Sequence, residues 1–133
     1  MSDGFKLEIV NPERSFLSKE GVLEVMVPAY EGDMGILKDH ISIISFLKPG
    51  LVKVFNSGSS EETYYVEDGI IEFKDNCLSI LTSNIFDIKK IDKNFVKDAL
   101  ANAEKDTQSS DISDQKKYLL DQKIEVLKSL TLN

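Results

Sequence analysis

The apolar residues of this chain change their period once, and that change limits the fold more than any other feature. From Phe5 to Thr82 they fall in short runs, each cut off by turn residues. From Ile91 onward they recur every three or four positions. The first pattern builds strands and the second amphipathic helices. In the first part Phe5, Leu7 and Ile9 alternate with Lys6 and Glu8 until Asn11-Pro12. Gly21 precedes the run 22–27, in which Leu23, Val25 and Val27 share a face and which Pro28 stops. Further runs cover 41–47, 51–55, 63–66, 70–73 and 77–82. Pro49-Gly50, the hairpin-type loop 57–60, Asp68-Gly69 and Asp75-Asn76 punctuate them. Short strands at this spacing predict a sandwich or barrel.

In the second part Ile91, Phe95, Ala99 and Ala103 form a helical stripe, with Val96 and Leu100 beside it and Asp92 as the cap. Thr107-Gln108-Ser109-Ser110 breaks the pattern, and Ser110 or Asp111 caps a second helix. Its stripe is Leu120, Ile124 and Leu127, edged by Ile112, Leu119 and Leu130. Two helices joined by a short polar link make a hairpin. Docking the second helix buries four or five large side chains at roughly 1.5–3 kcal/mol each. Ordering its backbone costs roughly 1–2 kcal/mol per residue, partly offset by hydrogen bonds. These terms are close, so the hairpin reads as a marginal element able to switch.

A chain of 133 residues has the length of one compact domain, and no apolar stretch is long enough to span a bilayer. Its first residues lack the pattern of a signal peptide, and a single arginine, Arg14, argues against a transit peptide. The expected compartment is therefore the cytoplasm. Net charge is −7, unevenly spread. Residues 1–88 carry 15 acids and 7 bases, a balance of −8, and residues 89–133 carry 8 acids and 9 bases. An acidic first domain repels phosphate backbones, so nucleic acid is not an expected partner.

Candidate chemistry is sparse. There is no phosphate-binding loop, no metal-spaced His/Cys set and no nucleophile elbow. Cys77 is the sole cysteine, in an alternating run, and reads as a small strand or core residue. His40 is the sole histidine and reads as a structural hydrogen-bonding residue. Glu31 and Asp33 flank Gly32; on a strand they would share a face, and in a loop both would be exposed. The segment 28–40 packs two glycines, a proline and three acids between two apolar runs, as a loop with a specific shape or a binding surface does.

That segment resembles the epsilon subunit of the bacterial F-type ATP synthase, through Val27, Pro28, Glu31, Gly32, Asp33, Gly35, Ile36, Leu37 and His40. The stretches 7–14, 47–52 and 65–73 resemble three further motifs of the family, in order, so the likeness covers about residues 5–92. Lys38 and Ser42 stand where the family has prolines, and Ala29 and Asp68 where glycine is common. Some relatives bind ATP at the start of the first helix; here Ile91 and Asp92 match that motif, but Phe95-Val96 replaces Arg-Ala.

The resemblance implies a β plus α fold: a sandwich of about ten strands over 1–88, then a helical hairpin over 89–133. It implies a non-catalytic rotor part with no cofactor, peripheral on the cytoplasmic face of the bacterial plasma membrane, without direct lipid insertion. The sandwich would join the gamma subunit to the membrane ring of proton-carrying subunits. Glu31, Gly32, Asp33 and Met34 would meet the ring, and His40 would lie near the ring and shaft contacts. The hairpin would move between a folded-back and an extended form. In the extended form alone, Lys116, Lys117, Lys123 and Lys128 would meet an acidic surface, on the alpha/beta catalytic head. The rival reading is a free-standing sandwich that binds ATP or a sugar under a helical lid.

Overall fold

The computed structural model describes residues 4–109 and 111–131. Among them are nine strands and two α-helices, one strand fewer than the expected ten or so. The strands are β1 (Phe5–Asn11), β2 (Arg14–Ala29), β3 (Gly32–Leu37), β4 (Ile43–Leu47), β5 (Gly50–Asn56), β6 (Glu61–Val66), β7 (Gly69–Lys74), β8 (Cys77–Leu81) and β9 (Ile85–Asp87). The helices are α1 (Lys93–Thr107) and α2 (Asp114–Thr131).

The alternating runs fold as read. Phe5, Leu7 and Ile9 of β1, Ile71 and Phe73 of β7, and Leu78 and Ile80 of β8 are all buried. They meet Val25, Val27, Val52, Val54, Tyr64 and Val66 in one core. The hydrogen-bonded path runs β1-β8-β7-β4-β2-β5-β6-β9, with β3 beside β2, and it closes on itself because β2 also pairs with β1. The result is two layers folded over one core.

Strand β2 departs from the sequence reading. It is a single strand of 16 residues that passes through both Gly21 and Pro28. At Gly21 the backbone is left-handed, φ 71°. Gly4 lies so close that a Cβ on it would be 2.4 Å from the Gly21 carbonyl carbon. The pairing with β5 slips between Val22 and Glu24. A slip of this kind exchanges the faces of a strand. Val22 and Val25 therefore point inward, whereas Leu23, expected to share a face with Val25 and Val27, is 39 % exposed. Pro28 lies beyond the last β2–β5 pair, Met26↔Lys53, so its missing N–H costs no bond to that strand. Its carbonyl accepts from the Lys48 N–H at 3.0 Å.

Asp75 and Asn76, both at positive φ, form the tight β7–β8 turn, as the dipeptide predicts. Asp68-Gly69 instead joins strands that do not pair with each other, since β6 pairs with β5 and β9, and β7 with β4 and β8. It is a corner between layers. The Asp68 carboxylate fastens it by accepting from the Ser83 amide (3.0 Å), the Ser83 hydroxyl (2.6 Å) and the Thr82 hydroxyl (3.2 Å). Burial alone would raise the Asp68 pKa; these hydrogen bonds outweigh it and hold the carboxyl below its ordinary value.

The hairpin lies folded back on the outer face of β5, β6 and β9. Leu51, Tyr65 and Phe86 stand in one cross-strand row there. Tyr65 is fully buried beneath the helices with Val96 and Leu127, and Phe95, Val126 and Leu130 pack around them. Asp92 caps α1, accepting from the Phe95 amide at 2.7 Å. The cap of α2 is Ser113, whose hydroxyl accepts from the Lys116 amide at 3.1 Å, and not Asp111. Ser110, the other expected cap, lies outside the described residues. In α2 Leu127 alone is fully buried, and Leu120 and Ile124 are half-buried. No helix among the described residues is long and apolar enough to cross a membrane.

Candidate functional site

The unusual segment 28–40 is a β-hairpin, not an open loop. Ala29 pairs with Gly32, leaving Tyr30 and Glu31 as a two-residue turn between β2 and β3. Gly32 has φ 145°, a backbone shape that a side chain rarely allows. Glu31 sits in the turn and Asp33 on β3; both are exposed, and Gly32 and Met34 are half-buried. These four expected site residues therefore form one acidic tip.

His40 does not join that tip. It follows β3 at the far end, beyond a six-residue strand that spans about 20 Å. There its Nδ1–H donates to the Ile41 carbonyl at 2.8 Å, and its ring stands edge-on to Phe73 with centroids 5.9 Å apart. The neighbouring Asp39 amide donates to the Asn76 side-chain oxygen (2.7 Å), and the Asn76 amide donates back to the Asp39 carboxylate (3.0 Å). His40 thus belongs to a tie between the β3–β4 connection and the β7–β8 turn.

The four lysines of α2 also separate. Lys116, Lys117 and Lys128 are exposed. Lys123 is not held for an extended form: its Nζ is 2.7 Å from a carboxylate oxygen of Glu67. The same oxygen accepts from the Tyr65 hydroxyl at 3.1 Å. The acidic sandwich therefore supplies a partner for one lysine in the folded-back hairpin, contrary to the expectation that these lysines find acid only when extended. The cause is that Glu67 directly follows β6, whose Tyr65 lies beneath α2.

Phe95 packs on Phe86 with ring centroids 4.8 Å apart. Cys77 is a half-buried residue of β8.

One surface escaped the sequence reading. Phe46 on β4, Ile70 on β7 and Leu81 on β8 are direct cross-strand neighbours. They are 62 %, 40 % and 51 % exposed, and Ile44 next to them is 69 % exposed. This stripe matches the row Leu51–Tyr65–Phe86 on the other layer in form, but only the latter is covered by helices. The signal in the sequence was that Ile43, Ile44, Phe46 and Leu47 are apolar at both parities, which puts apolar groups on both faces of β4.

Comparison with known proteins shows the family. Residues 4–88 match the family model described as ATP synthase, Delta/Epsilon chain, beta-sandwich domain. The ATP synthase epsilon chain of Pelagibacter ubique is 68 % identical over 130 residues, covering 98 % of this chain and 99 % of that one. The ATP synthase epsilon chain of Dichelobacter nodosus is 39 % identical over 111 residues, covering 84 % of this chain and 77 % of that one. In fold, the chain superposes on one from the Euglena gracilis mitochondrial ATP synthase with a TM-score of 0.78 at 21 % identity, covering 99 % of this chain and 82 % of that one. The rival reading of a free-standing ligand-binding sandwich loses its ground. The chain belongs to the ATP synthase delta/epsilon family, as a non-catalytic subunit of the epsilon type.

Proposed function

We propose that this chain is the rotor-side link of a proton-translocating ATP synthase, seated on the gamma subunit and meeting the membrane ring of proton-carrying subunits. The observation that carries the reading is the bare stripe Phe46–Ile70–Leu81. The sandwich has an apolar row on each outer face. Its own hairpin covers one, and an uncovered apolar surface of this kind marks a docking site for another protein. The stripe is the seat for gamma, and the acidic tip of Glu31, Gly32, Asp33 and Met34 addresses the ring. His40 supports the opposite end of the sandwich, at the β3–β4 connection. In this reading the chain works at the cytoplasmic face of the bacterial plasma membrane.

The hairpin is the regulatory element. Folded back, it is held by Leu127 and by the Lys123–Glu67 pair. Released, it presents Lys116, Lys117, Lys123 and Lys128 to the alpha/beta catalytic head and restrains ATP hydrolysis. The chain works without a bound cofactor in this role, and Phe95 stands in place of the arginine of the nucleotide-binding motif at the head of α1.

Charge placed on the stripe tests the reading. Phe46→Glu with Ile70→Lys alters only exposed positions, so the fold should persist. A charge at the centre of an apolar interface costs about 2 kcal/mol or more. Retention of gamma in a pull-down from co-expressing cells should fall at least tenfold. Unchanged retention would move the gamma seat elsewhere.

A further inference from the structure

The acidic tip and the hairpin are not independent. Tyr30, the first residue of the two-residue turn, touches the first turns of α2 twice. Its hydroxyl lies 3.3 Å from the Gln115 side-chain amide and accepts its hydrogen. Its ring lies against Tyr118, centroids 5.8 Å apart. Tyr30 is half-buried and Tyr118 is 38 % exposed, so the contact lies at the surface beside Glu31. Further along α2, Lys123 pairs with Glu67, just past β6, and Leu127 is buried with Tyr65 of β6. The helix is thus fastened by its middle and end to the sheet and by its start to the tip.

We propose that Tyr30 is a clasp through which the state of the hairpin and the occupancy of the acidic tip control each other. In a two-residue turn, fixing Tyr30 restricts the direction of Glu31, its immediate neighbour. The folded-back hairpin therefore pre-organises the tip, and a partner bound at the tip favours the folded-back hairpin. Pre-organisation strengthens binding by removing an ordering cost, and linkage makes the effect reciprocal. The second half of this statement rests on the reading of residues 31–34 as ring-facing; the clasp itself does not.

The test is amide hydrogen exchange over residues 115–121. In the isolated full chain, Tyr30→Ala and Tyr118→Ala should each speed exchange there by about two- to tenfold, the range set by one surface aromatic pair. The double variant should be no faster than the faster single one, because both remove the same contact. Tyr30→Phe, which keeps the ring and loses only the Gln115 bond, should fall between wild type and Tyr30→Ala. Unchanged exchange in both alanine variants would overturn the clasp.

The coupling is then read on the chain bound to gamma, with and without purified membrane ring. Ring binding, followed by co-sedimentation, should slow wild-type exchange over 115–121 by fivefold or more and should have no such effect in Tyr118→Ala. Co-sedimentation without slowed exchange would overturn the coupling and leave the ring contact standing. Equal co-sedimentation of wild type and a Glu31→Lys, Asp33→Lys variant would instead remove the tip from the ring contact, while the isolated-chain result still decides the clasp.

Discussion

Leu127→Ala separates the two parts of the molecule energetically. Leu127 is the one fully buried residue of α2, enclosed by Tyr65 and Val96 with Leu51, Phe86 and Leu130 around them. Truncating a buried leucine to alanine costs about 2–5 kcal/mol, less where neighbours can collapse into the space. Here most neighbours are only partly buried, which favours the low end, about 2–3 kcal/mol. The sandwich core contains no residue of either helix. The loss should therefore fall on docking alone. At 1.36 kcal/mol per tenfold, exchange of α2 amides should accelerate about 30- to 150-fold. Amides in β5, β7 and β8 should keep their wild-type rates, and the main urea transition should not move. The assay is hydrogen exchange with mass spectrometry on the isolated chain. Unchanged α2 exchange would refute Leu127 as the anchor. Equal acceleration in helices and strands would refute two separable units.

Three further outcomes follow from particular contacts. A Cβ on Gly50 would lie 2.5 Å from the Pro28 Cβ, so Gly50→Ala should destabilise the sandwich by about 1–3 kcal/mol in urea denaturation. The Asp68 carboxyl has a depressed pKa in the fold, so its contribution is present above the unfolded value near 4 and is lost as pH falls through the folded value. Asp68→Ala should accordingly cost about 1 kcal/mol at pH 7, and the gap to wild type should narrow as pH falls below the unfolded value and close once it has passed the folded one, as read by thermal melts across pH. Removing residues 89–133 should leave a folded sandwich that binds gamma and should raise ATP hydrolysis by the assembled enzyme without abolishing synthesis; equal hydrolysis with the full and shortened chains, at low and high salt, would mean that the hairpin is not an inhibitor.

What the sequence disclosed follows from how local each signal is. Alternation in β1, β7 and β8 is a local pattern, so Phe5, Leu7, Ile9, Phe73 and Ile80 were legible as core. Asp92 was legible as a cap because no competing cap stands beside it. The start of α2 was not, since Asp111 and Ser113 are both capping types and tertiary contacts choose between them. Strand β3 has no alternating pattern to show it, because Ile36 is its one buried residue. Gly21 and Pro28 look like strand ends, yet in β2 one absorbs a slip in pairing and the other sits past the neighbouring ladder. The candidate site divides in the same way. The acidic tip was visible as a peculiar composition. The stripe was not, because an apolar run such as 41–47 does not say which of its faces will be covered. The Lys123–Glu67 tie joins residues 56 apart and depends on how the hairpin docks.

If this chain connects the shaft to the ring, coupled ATP synthesis depends on it. The direct measurement is proton-driven ATP synthesis in vesicles that hold an enzyme stripped of this chain, to which purified chain is returned. Wild-type chain should restore synthesis. A Glu31→Lys, Asp33→Lys chain, which carries repulsive charge into the ring contact, should bind gamma normally and restore far less, with ATP hydrolysis by the detached catalytic head unchanged. Full restoration of synthesis by that double variant would mean that the acidic tip does not carry the link to the ring.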